Sequence, residues 1–142
     1  MATYVKYQDF TEQLCKAVHD LDGTHTLKIA LTNTAITATD TGLSNITEIS
    51  AGNGYTAGGE TVASVTLSET SGTAKLVLGD EVFTASGGAI GPFQYAVLYN
   101  DSATTPADAL IASWDYGSSI SLADTETLTV DFDPTNGVFQ LV

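Results

Sequence analysis

Thr127-Leu128-Thr129-Val130-Asp131-Phe132-Asp133 alternates polar and apolar residues without a break. A period of two puts Leu128, Val130 and Phe132 on one face and the polar residues on the other. That pattern marks a strand with one side on a core and the other in water. Asp133-Pro134-Thr135-Asn136-Gly137 follows, and this composition reads as a turn. The chain is expected to reverse there, with Val138 to Val142 returning as the partner strand.

The same reading extends back along the chain. Phe93, Tyr95, Val97 and Tyr99 share one face of a strand, and Leu110 to Trp114 forms the next. Leu76-Val77-Leu78 and Val82-Phe83 are short apolar runs. Ala63, Val65 and Leu67 alternate with Ser64 and Thr66, and Leu27, Ile29 and Leu31 alternate with Lys28, Ala30 and Thr32. Turn signals recur at Gly58-Gly59, Ser71-Gly72, Gly87-Gly88, Gly117 and Asn136-Gly137. Short strands with frequent turns predict an antiparallel β-sandwich or barrel-like domain. Before Gly23 the period changes. Phe10, Leu14, Ala17, Val18 and Leu21 recur at helical spacing, Asp9 and Glu12 fit a capping box, and Gly23 is a natural stop. The expectation is a mainly-β single domain over residues 1–142: an N-terminal arm at 1–8, one helix at 9–22 and the β-sandwich at 25–142.

A chain of 142 residues with 43% hydrophobic residues can bury a core without a disulfide or metal. Its charge is lopsided: 4 Lys, no Arg and 17 Asp plus Glu, for a net charge of −13. Binding nucleic acid requires cations that displace counterions from phosphates. The same cations are needed at an anionic membrane surface. Neither partner is expected. A lone Cys15 forms no intrachain disulfide, and lying off the apolar stripe it reads as a half-buried structural thiol. Met1-Ala2-Thr3-Tyr4 has no basic stretch followed by an apolar one, so no secretory signal is expected, and no apolar run approaches the length of a membrane span.

No catalytic, metal-binding or cofactor-binding constellation emerges. Gly52-Asn53-Gly54-Tyr55-Thr56-Ala57-Gly58 has one residue too many for a dinucleotide fingerprint and lacks the strand–loop–helix setting, so a flexible surface loop is expected. Asp131 and Asp133 would share a strand face, but two carboxylates fall short of the oxygen set calcium takes. His19 is expected in solvent, opposite the helix stripe. Neither His19 nor His25 sits at metal spacing, and there is no nucleophile elbow. Trp114-Asp115-Tyr116 and the strand from Phe93 to Tyr99 are candidates for a sugar-binding patch, although core packing is the commoner role for such aromatics.

Several stretches resemble small virion-associated proteins of tailed phages: Thr26 to Asn33 (TLKIALTN), Ile46 to Gly59 (ITEISAGNGYTAGG), Gly91 to Asn100 (GPFQYAVLYN), Ile111 to Ser119 (IASWDYGSS) and Leu128 to Asp133 (LTVDFD). With the preceding helix they span nearly the whole chain. The resemblance implies a non-enzymatic structural place in a virion assembled in the bacterial host cytoplasm. The leading expectation is a capsid decoration, or cement, protein. It would lie outside the shell as a homo-oligomer, often a trimer in such proteins, and bridge subunits of the major capsid protein. The alternative is a tail, fibre or adaptor component that binds host surface glycans. Tyr4, Val5 and Tyr7 in the arm have no place in the helix stripe and are the candidate partner contacts.

Overall fold

The structure, a computed structural model, describes residues 2–142. In chain order its elements are β1 (Thr3–Lys6), α1 (Gln8–Cys15), β2 (Leu27–Thr32), a single 3-10 turn (Leu43–Asn45), β3 (Glu60–Thr61), β4 (Val65–Thr70), β5 (Thr73–Leu78), β6 (Glu81–Thr84), β7 (Ile90–Thr104), β8 (Ala107–Leu122), β9 (Thr127–Val130) and β10 (Phe139–Leu141). The mainly-β class with one helix near the N-terminus is what forms. The strands make three antiparallel sheets, ordered β1-β8-β7-β2-β3, β10-β5-β4 and β6-β9. One apolar core joins them, with Ile29, Val97 and Leu110 from the first sheet, Leu76 and Leu78 from the second and Phe83 from the third.

The large sheet is built on β7 and β8, of 15 and 16 residues. At about 3.4 Å per residue each spans roughly 50 Å. Their register shifts four times, between Ile90 and Phe93, Phe93 and Tyr95, Leu98 and Tyr99, and Asn100 and Thr104. Such irregularities bend a strand. Leu31, Ala96, Trp114 and Tyr4 form one row across four strands, and Ile29, Leu98, Ala112 and Lys6 form the row two residues along on the same face.

Several sequence expectations need correction. The alternation at 127–133 is a strand only as far as Val130, and its partner is β6, with Leu128 opposite Phe83. The strand stops because Asp80 takes the next backbone donor, Phe132 N–H, on its carboxylate at 2.9 Å. Val138 to Val142 does not return along β9; β10 pairs instead with β5, Phe139 opposite Leu76. The turn between them is real, but it hands the chain from one sheet to another.

The helix is also shorter than the predicted 9–22. Val18 N–H reaches Gln13 C=O at 2.9 Å and Ala17 N–H reaches Leu14 C=O at 3.1 Å, a Schellman closure with Ala17 at φ +58°. Apolar spacing continues past Ala17, but the backbone has already turned. Phe10 and Leu21 are buried as expected, whereas Leu14 and Val18 are only half-buried and Cys15 is exposed rather than half-buried. Asp9 does not cap the helix. Tyr7 holds the cap position without a side-chain bond, and the Asp9 carboxylate accepts from Gln13 Nε2 at 3.0 and 3.1 Å. An alanine in left-handed backbone is strained relative to glycine. Ala17→Gly is therefore expected to raise stability by about 0.5–1 kcal/mol, seen as a higher urea midpoint at unchanged slope.

Within the expected arm at 1–8, Thr3–Lys6 form β1, an edge strand paired with β8 of the same chain from Thr3 opposite Asp115 to Lys6 opposite Ala112. Tyr7 is 0% exposed within its own chain, and burial pushes its phenol up to about 12. That removes Tyr7 from the candidate partner contacts. Val5 is half-buried, and Tyr4, 41% exposed, packs on Trp114 with ring centroids 5.7 Å apart.

Candidate functional site

The segment Gly52 to Gly59 is fixed rather than flexible. Tyr55 is buried against Phe83. Its hydroxyl donates to Glu48 Oε1 at 2.7 Å and accepts from Leu31 N–H at 3.0 Å. Gly58 N–H donates to the same carboxylate oxygen at 2.9 Å, and Tyr99 Oη donates to Gly58 C=O at 2.6 Å. Burial raises both phenols. The glycines let the backbone lie close against β2, and the loop presents no row of amides to a phosphate. Its role is architectural.

The two histidines, far from being solvent groups, meet at Asn100. His19 is buried, and Asn100 is fully buried. Asn100 Oδ1 accepts from Ser102 N–H at 3.0 Å, which fixes the amide so that Nδ2 faces His19 Nδ1 at 3.2 Å and His25 Nδ1 at 3.0 Å. An amide nitrogen only donates, so both Nδ1 atoms accept. His25 Nδ1 also accepts from Asp20 N–H at 3.2 Å. The His19 ring lies 5.0 Å from that of Phe10. Burial, with a smaller push from His25, lowers the His19 pKa to about 4 against a weak opposing pull from Asp9.

A folded pKa below the ordinary 6.5 means that the fold resists the proton. Above that value both folded and unfolded chains are neutral at His19, and nothing is gained or lost. Below it the unfolded chain takes up a proton that the folded one refuses, so stability falls until about pH 4. The expected loss is about 2–3 kcal/mol. His19→Gln should narrow the gap in urea stability between about pH 7 and about pH 4.5 by that amount. An unchanged gap would mean the ring is solvated in solution.

The aromatic residues give the molecule its concave surface. Trp114 sits centrally, with Tyr4 on one side in the same row and Phe132 edge-on to it at 5.3 Å. Two depressions meet at Trp114. One, of about 130 Å³, has a floor of Leu31, Ala96, Phe93 and Ile120, a wall of Leu128 and Val130 from β9, and a rim carrying Tyr95, Tyr116, Gln94 and Asp131. The other, of about 510 Å³, lies between Tyr4 and Phe132 and continues past Asp131 and Asp133 to Val138. Ala2, Trp114 and Asp131 belong to both, which makes them one groove.

The groove exists because the β6–β9 ribbon covers the Leu31–Tyr4 row only in part. Tyr116, two residues beyond Trp114 on the same face of β8, is 57% exposed. Gln94 is oriented by bonds from Nε2 to Asp115 Oδ1 at 2.8 Å and to Tyr95 Oη at 3.2 Å, and Asp115 Oδ1 also accepts from Gly117 N–H at 2.7 Å. Asp131 and Asp133 are both exposed, but beyond the end of β9 they are not a strand-face pair. Asp133 is occupied as a turn cap: its carboxylate accepts from Thr135 N–H, Asn136 N–H and Asn136 Nδ2, which hold it below its ordinary pKa. Among the described residues no group of three or more His, Cys, Asp or Glu is placed to hold a metal ion.

The aromatic candidates Trp114 and Tyr116 thus line a groove, while Phe93 and Tyr99 are core. Val97 is core too, and Tyr95 is half-buried at the rim. Tyr4, an expected partner contact, lies beside Trp114. Leu128 and Val130 were read only as core residues, and nothing in a single strand's alternation could show that they wall a cleft. Comparison with protein-family models, curated proteins and solved structures finds no match for this chain.

Proposed function

We propose that this chain is a non-enzymatic structural protein of a tailed-phage virion, decorating the outside of the capsid and stabilising its subunits as a homo-oligomer. The reading rests on a proposed resemblance of five stretches between Thr26 and Asp133, joined by the helix before them, to small virion-associated phage proteins. The charge supports an outer location. A net charge of −13 repels packaged DNA. Each of the four lysines is engaged within the chain: Lys6 with Thr11, Lys16 with Glu12, Lys28 with Asp101 at 3.6 Å and Lys75 with Thr135 C=O at 2.8 Å. Leu67 and Leu141, on β4 and β10, remain exposed and offer apolar contacts for capsid or for a second copy.

A tail, fibre or adaptor position is the second reading, since the resemblance is shared by both. Immunogold labelling of intact particles, followed by cryo-electron microscopy, separates the two. Label over the head in regular array is the expected result. Label confined to the tail moves the protein there, and particles without the protein overturn the virion assignment.

A further inference from the structure

We infer that the groove centred on Trp114 is a binding site for a neutral oligosaccharide chain. The inference is independent of whether the protein sits on head or tail. Three features of the groove select this ligand class. Its surface is aromatic and accessible: Tyr116 and Tyr4 stand exposed on either side of Trp114, along one face of two adjacent strands. Sugar rings carry apolar C–H faces that lie against such rings, and Tyr and Trp combine an apolar body with a polar tip. Its polar groups suit hydroxyl donors. The Asp131 carboxylate accepts hydrogen bonds only, and Gln94, held in place by Asp115 and Tyr95, borders the same floor. Its charge discriminates. With Asp131 and Asp133 along the rim and a net charge of −13, the groove disfavours anionic ligands such as nucleic acid and sulfated or sialylated glycans. A fixed floor of sheet residues means that little must be ordered when the ligand arrives, which lowers the entropic cost of weak, repeated contacts along a polymer.

Trp114 is the only tryptophan in the chain, so its fluorescence reports on this site alone. The full-length protein is titrated with maltohexaose, cellohexaose and chitohexaose up to about 10 mM, the range in which weak carbohydrate sites saturate. A saturable shift of emission with at least one of them is expected. Tyr116→Ala, at an exposed position, should keep the wild-type circular dichroism spectrum and weaken that binding about tenfold or more. Silence with all three sugars overturns the inference, as does binding that Tyr116→Ala leaves intact. Hexalysine is the counter-probe. A saturable response to it in the absence of any sugar response would make the groove a site for basic peptide segments instead, and would equally overturn the carbohydrate assignment.

Discussion

Gly59→Ala is expected to cost about 4 kcal/mol or more, enough to leave little folded protein at 37 °C. Gly59 is buried, with φ +73°, directly before β3. A Cβ there would stand 1.8 Å from Ile29 O and 2.8 Å from Ala30 Cα, both backbone atoms of β2. No rotamer relieves a clash with backbone, so β3 would have to leave the sheet, taking with it the Glu48–Tyr55–Gly58 bonds that fasten the loop. Gly72, also at positive φ but with nothing within 4 Å of its would-be Cβ, is the control. Gly72→Ala bears only the conformational penalty, about 1 kcal/mol. Thermal and urea unfolding of both variants measure the difference. Equal, small losses would show that the loop can lift away from β2 at little cost.

Removal of residues 2–7 has a comparable effect, and for a different reason. The deletion takes away a fully buried tyrosine and a strand of four paired residues. Truncating a buried aromatic side chain alone costs about 3–5 kcal/mol. It also uncovers the outer edge of β8 from Ala112 to Asp115 and one side of Trp114, and a bare edge beside an exposed indole invites pairing between molecules. The truncated protein is therefore expected to melt well below wild type and to aggregate, monitored by circular dichroism and light scattering. A truncated chain that melts normally would mean that Tyr7 contributes nothing to the core.

A single sequence carries part of this architecture and not the rest. Alternation is a local property of the backbone, so the strands at Leu27–Leu31, Phe93–Tyr99 and Leu128–Val130 could be read directly, although β2 is buried on both faces and register shifts fall between Phe93 and Tyr95 and between Leu98 and Tyr99. Pairing is not local. A turn such as Asp133–Gly137 normally joins neighbouring strands, but here Phe132 turns in to meet Trp114 and the chain crosses to β5. The helix end was hidden because Ala17 carries no glycine's signature, although it adopts a glycine-like conformation. His19 looked solvent-facing only on a helix that continued past residue 17. Tyr55 sits in a glycine-rich run whose composition suggests mobility, and its anchoring depends on Glu48 and Leu31, residues that only the folded chain brings within reach. The groove was legible as a set of aromatics, but its far wall belongs to a strand separate in sequence.

The order in which strands pair also constrains how the protein can be made. β7 and β8 are consecutive and joined by a short turn, so their hairpin closes through local contacts, which are the fastest to form. β1 and β2 precede them by many residues but pair with β8 and β7, and β5 pairs with β10 at the far end of the chain. A ribosome delivers the N-terminal strands first and their partners last. One edge of the run Leu27–Thr32 can pair early with β3, but the other must wait until residues near 100 have emerged, and the small sheet stays incomplete until Phe139–Leu141 has followed. During that interval the nascent chain exposes strand edges that the finished protein conceals, so its yield in a cell depends on the speed with which the central hairpin captures them.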